Sequence, residues 1–103
     1  MERIPRPSVF TARNLITVGA VAALRARGLQ YAVALVGFDD LPRADAVDPR
    51  LTVVARDARR VGRAAAEVLF ARLDGNGGPT RTVVLPTTLI ARGSGEIAPG
   101  GVR

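Results

Sequence analysis

The stretch SVFTARNLITVGAVAALRARGLQYAVALVGFDD, residues 8–40, decides the fold because its apolar pattern changes period twice. Ser8-Val9-Phe10-Thr11-Ala12 is a short, partly β-branched apolar run that suits a buried strand, and it follows the proline-containing lead Ile4-Pro5-Arg6-Pro7. From Asn14 the spacing lengthens, with apolar residues at Leu15, Val18, Ala22 and Leu24, basic residues Arg25 and Arg27 at the end, and Gly28 as a stop. That pattern predicts a helix. The next run, Ala32 to Val36, is too short for a helix and ends in Gly37-Phe38-Asp39-Asp40, so it predicts a second buried strand. Strand, helix and strand in this order make a βαβ unit, with parallel strands and a right-handed crossover.

Outward from this unit, residues 41–50 carry Pro42 and Pro49 among charged residues and suit a loop with one helical turn. Leu51-Thr52-Val53-Val54-Ala55 predicts a third strand. Ala58 to Leu73 gives the strongest helix signal, with Val61, Ala64, Ala65, Val68, Leu69 and Leu73 on one stripe. Asp74-Gly75-Asn76-Gly77-Gly78-Pro79 ends it. Two short strands, Thr82 to Leu85 and Thr88 to Ala91, are expected around Pro86, followed by a Gly- and Pro-rich tail from Gly93 that should fray. Residues 8–92 then form one α/β unit built on a parallel βαβ sheet, with residues 1–7 and 93–103 as flexible termini. Gly19 and Gly62 lower helix stability and point to close packing, not to phosphate binding.

Composition narrows the function. A chain of 103 residues has room for one modest core. It contains neither cysteine nor histidine, which removes disulfides, thiolate nucleophiles, Cys/His zinc sites and imidazole acid/base chemistry together. No metal, cofactor or enzymatic activity is expected. The net charge of +6 comes from arginine alone, spread along the chain, and implies a generally basic surface more than direct nucleic-acid contact. No apolar run reaches membrane-spanning length and no secretory signal is evident, so a cytoplasmic location is expected.

Ligands of open parallel sheets bind beyond the carboxyl ends of the strands. In this chain Arg13-Asn14, Asp39-Asp40 and Arg56-Asp57 follow the three strands, and their carboxylates, amide and guanidinium groups suit a hydroxyl-rich effector. Asn14 has an equal alternative as the helix N-cap, and Asp40 reads better as a brace for the following loop. The neighbours Asp39 and Asp40 should point to opposite faces of an extended chain, which disfavours a catalytic pair.

At these positions the chain resembles the LacI/GalR-type transcriptional regulators. VFTARNLITVGAVAALRARGL, residues 9–29, is similar to a family segment in which a strand ending in Ala-Asn-Asp leads to a helix beginning Met-Ala-Leu-Gly-Ala. VALVGFDDLPRADAVDPRLTVV, residues 33–54, resembles the family's Val-Val-Gly-Phe-Asp-Asp and its later Pro-Pro-Leu-Thr-Thr-Val. GRAAAEVLFARLDG and VVLPTTLIARGSG, residues 62–75 and 83–95, look like the closing helix and the Leu-Pro-Thr-x-Leu-x-x-Arg-x-Ser ending.

The resemblance implies a partial periplasmic-binding-protein-like (type I) sensor domain that binds a sugar or sugar phosphate. It implies ligand-binding roles for Arg13, Asn14, Asp39 and Arg56, and dimer-interface roles for Val18 and Val47 in a homodimer of the complete protein. Arg13 and Arg56 depart from the family's amide or small polar group and its glutamine; a cationic pocket for an acidic sugar, or loss of binding, are the alternatives. The Pro-x-Asp usual before the second strand is missing at Gln30-Tyr31. No helix-turn-helix pattern precedes Ser8, so DNA contact is expected only through an N-terminal head outside this chain. A transport-type sugar-binding module and an inactive truncated fragment are the competing readings. The Ala58 to Leu73 stripe lacks the sheet it covers in the family, so the isolated chain should be marginally stable.

Overall fold

The computed structural model describes residues 7–98 and contains two compact units, one made of residues up to Ala55 together with those from Thr88 onward, the other of Arg56–Thr87. Its elements are β1 (Ser8–Thr11), α1 (Asn14–Ala26), β2 (Ala34–Phe38), β3 (Thr52–Arg56), α2 (Ala58–Leu73), β4 (Thr87–Ile90) and a 3₁₀ turn at Ser94–Glu96. The strands form one sheet in the order β1-β2-β3-β4. β1 pairs parallel with β2, from Ser8 opposite Ala34 to Thr11 opposite Gly37, and β2 pairs parallel with β3, from Val36 opposite Thr52 to Phe38 opposite Val54. The βαβ reading of residues 8–40 therefore describes the chain. Among the described residues no helix is long and apolar enough to cross a membrane.

Both helices end by the same device. At α1 the Gly28 N–H bonds the Arg25 carbonyl at 3.1 Å and the Leu29 N–H bonds the Leu24 carbonyl at 2.8 Å, with Gly28 at φ 68°. At α2 the Gly75 N–H bonds Arg72 O at 3.1 Å and Asn76 N–H bonds Ala71 O at 2.9 Å, with Gly75 at φ 84°. A side chain is strained at positive φ, so glycine lets the chain reverse and satisfy the last carbonyls. α2 begins on an Asp57 side chain that accepts from the Arg60 N–H at 3.2 Å.

The core of the first unit is small: Leu35, Ala44, Leu51 and Val53 are buried, and Ala20, Val21 and Leu24 of α1 pack on them with Leu41, Val47, Ala55 and Ile90. Under the first turn of α1 the sheet is polar. The Thr17 hydroxyl donates to Arg13 O at 3.0 Å and lies 2.7 Å from the Thr11 hydroxyl, both residues being buried. Gly37 sits beneath them, and a Cβ there would come within 2.9 Å of Thr17 Oγ1. In the second unit α2 buries no residue; Leu69, Phe70 and Leu73 stay more than half exposed.

Several expectations need correction. β2 starts at Ala34, not Ala32, because the Ala32 and Val33 N–H groups bond Leu29 O in a turn. β3 starts at Thr52, because the Leu51 N–H is taken by Ala44 O inside the preceding loop. Thr82 to Leu85 forms no strand: β4 is the only strand after α2 among the described residues, and Val83 and Val84 are left exposed. Gly19 and Gly62 allow no close approach, since a Cβ at either would meet nothing within 4 Å.

The tail is not frayed where it is described. Ser94 is buried, and its hydroxyl accepts from the Thr52 N–H at 2.9 Å and donates to Leu35 O at 2.6 Å. The Ser94 hydroxyl thus touches both strands beside the Val36–Thr52 pair of the β2–β3 ladder. The Thr52 hydroxyl donates to Glu96 Oε1 and accepts the N–H groups of Arg92, Gly93 and Gly95. The folded part thus runs past residue 92 to Glu96, a correction to the 8–92 boundary; the expected flexible ends at 1–6 and 99–103 lie outside the described residues.

Candidate functional site

Because β1, β2 and β3 run parallel, their carboxyl ends share one edge of the sheet, with Thr11 level with Gly37 and Phe38 level with Val54. Arg13 lies just beyond β1. It is the N-cap of α1 in extended conformation, with its side chain exposed and making no capping bond. The N-cap is therefore Arg13, and Asn14, the alternative cap in the sequence reading, is the first helical residue. Asn14 faces the loop after β2: its Nδ2 donates to Asp40 O at 3.5 Å, while its Oδ1 is buried without a hydrogen-bond partner.

Asp39 and Asp40 follow β2 directly. Asp39 is half-buried and adopts φ 76°, so the pair does not alternate as an extended chain would, which corrects that part of the sequence argument. The Asp39 N–H extends the ladder to Val54 O at 2.8 Å. Asp40 braces the loop as expected, its Oδ1 accepting from the Leu41 N–H at 2.9 Å. It has a further partner: the Arg92 guanidinium reaches both carboxylate oxygens at 2.9 Å. This two-pronged bond holds the Asp40 carboxyl below the ordinary carboxylate value, its cost being partial burial and its lesser aids the Leu41 N–H and the Arg92 charge.

Asn14 and Asp39 therefore come together with Asp40 in the first unit, and Arg13 stands one residue before Asn14. Arg56, the last residue of β3, opens the second unit and is exposed. Val18 is 51% exposed on α1 and belongs to no core cluster, whereas Val47 packs against the core. Sequence reasoning assigned no role to Arg92, Ser94, Thr52 or Glu96. The signal available was Arg92-x-Ser94, read as part of a family ending with no structural task attached, and Glu96 lay beyond it. Among the described residues no three carboxylates gather as a metal site would require.

Comparison with known proteins gives the family and the fold. Residues 1–95 match a family model described as a periplasmic binding protein-like domain. The chain is 36% identical over 95 residues to the HTH-type transcriptional regulator MalR of Streptomyces coelicolor, which covers 90% of this chain and 28% of that protein. Its structure is similar to that of a LacI-type transcription regulator from Bifidobacterium animalis, with a TM-score of 0.72, 28% identity and coverage of 88% of this chain and 33% of the other. A dimeric Lac repressor superposes with a TM-score of 0.71 at 25% identity, over 90% of this chain and 34% of the repressor chain. The chain thus spans a little over a quarter of MalR's length.

Proposed function

The chain belongs to the periplasmic binding protein-like family, in its LacI/GalR-regulator-like form, and on that premise we propose that it builds one wall of the effector cleft of a LacI-type transcriptional repressor. The domain senses and does not catalyse. Its effector is a small polyhydroxylated molecule, a sugar or sugar phosphate, held by Asp39 and Asn14, with Arg13 beside them. Effector binding shifts the balance between DNA-competent and DNA-incompetent conformations of a cytoplasmic homodimer, and DNA contact belongs to another part of the full-length protein. The exposed Val18 face of α1 serves the dimer, and Val47, which packs against the core, is the second interface position.

One observation carries this reading: Asn14 Oδ1 is a buried acceptor without a partner, at the carboxyl edge of the sheet and beside the Asp39 loop. Buried polar atoms are nearly always paired, and once the site opens to an effector one of its hydroxyls supplies the missing donor. The adjacent carboxylate of Asp39 accepts from a neighbouring hydroxyl, which suits a vicinal diol. A thermal-shift titration against neutral and phosphorylated sugars tests the proposal. A saturable rise in Tm that disappears in Asp39→Ala supports it. A chain that melts cooperatively and responds to none of these sugars overturns it.

A further inference from the structure

We propose that Arg92 is the positioning residue of the effector site: acting through Asp40, it holds Asp39 in the conformation that faces the ligand. The proposal rests on the sensing role of Asp39 given above, and all the groups it uses lie within the first unit.

Asp39 is a non-glycine residue at φ 76°. Such a backbone costs free energy, less for Asp than for most residues, and the surroundings must offset it. Three restraints do so here, each from a different part of the chain. The Asp39 N–H is tied to Val54 O of β3 at 2.8 Å. The carbonyl of the next residue, Asp40, accepts from Asn14 at the start of α1. The Asp40 carboxylate is gripped at both oxygens by Arg92, beyond the end of β4.

The third restraint is anchored more firmly than a surface ion pair. Arg92 Nη1 also donates to Leu51 O at 3.2 Å, and the Arg92 N–H donates to the Thr52 hydroxyl at 3.0 Å. Two residues on, the buried Ser94 is locked between β2 and β3. The guanidinium therefore projects from a backbone that cannot drift, and its side chain is only 19% exposed. A planar fork matches two carboxylate oxygens at once, which a lysine ammonium cannot do. Fork geometry, and not charge alone, fixes the direction in which the chain leaves Asp40 and so the placement of Asp39.

Backbone amide hydrogen exchange on the whole chain, without any ligand, tests this in Arg92→Lys, with Glu96→Gln as a control that disturbs the same turn but leaves the Asp40 contact. The expected result is that Arg92→Lys speeds exchange at the Asp39 amide about tenfold, in keeping with loss of a charge-assisted bond, and returns the Asp40 carboxyl towards its ordinary titration. The β2–β3 ladder amides keep their protection, and Glu96→Gln leaves Asp39 unchanged. Unchanged exchange at Asp39 in Arg92→Lys would overturn the proposal, as would an equal loss of protection across the ladder, which would make Arg92 a residue of general stability. Because no effector is used, failure here is distinct from failure of the sensing role, which the sugar titration of the unaltered chain reports.

Discussion

Arg92 and Asp40, separated by 52 positions in the chain, meet through two contacts of 2.9 Å and so tie the end of the sheet to the loop that carries Asp39. The Asp40 carboxyl titrates below its ordinary value of 3.8 in the folded chain, chiefly because of the Arg92 bond. The folded state therefore binds fewer protons than the unfolded state at acid pH, and stability from the pair is present above 3.8 and lost as pH falls through the lowered value. Asp40 is 42% exposed at its side chain, so water screens the pair and the effect is modest. Thermal melts of the chain and of Asp40→Asn from neutral to strongly acid pH should show a gap in Tm that closes at the acid end. A gap independent of pH would contradict this assignment.

Ser94→Ala should destabilise the chain by about 1–3 kcal/mol, because it leaves the Leu35 carbonyl and the Thr52 N–H without the hydroxyl that joins them. Chemical denaturation checks this, with a lower midpoint and an unchanged slope as the expected result.

Gly37→Ala should cost about 1–3 kcal/mol, since its Cβ would lie 2.9 Å from Thr17 Oγ1 and 3.1 Å from Thr17 Cγ2. Pairing it with Thr17→Ala removes the clash, so the double variant should lose less than the two single losses combined. Strict additivity in a denaturation cycle would contradict the packing described.

Val18→Arg should leave monomer stability within about 0.5 kcal/mol, because Val18 is exposed and outside the core. The same change at Val47 should unfold the chain, because Val47 packs against Leu35, Ala44, Leu51 and Val53. If Val18 serves a dimer contact, analytical ultracentrifugation of Val18→Arg shows less self-association with an unaltered fold.

Much of the fold was legible because its signals are local. The bounds of α2, Ala58 to Leu73, follow from a period of three to four residues and a glycine stop, both of which act within a few residues. Asp39 and Asn14 were legible as strand-end residues for the same reason. The errors fall where distant parts of the chain decide the outcome. Whether Thr82 to Leu85 becomes a strand depends on a partner edge, which no local pattern reveals. Gly93 to Glu96 has the composition of a loose tail, and it is ordered by hydroxyl and amide bonds to β2 and β3, formed across 41 to 59 residues. The partnership of Arg92 with Asp40 was hidden for the same reason, and Arg56, legible in sequence, belongs to the second unit.

The central claim, that Asn14 and Asp39 bind a hydroxyl-rich effector, is tested most directly by NMR titration of the isotopically labelled chain with neutral and phosphorylated sugars. The account predicts that at least one sugar moves the Asn14 side-chain amide together with the Asp39 and Asp40 backbone amides, saturably, and that Asp39→Ala abolishes these shifts while the ladder signals of β2 and β3 stay in place. A folded chain in which no sugar moves these signals, or in which a sugar moves only signals remote from the carboxyl edge of the sheet, would contradict it.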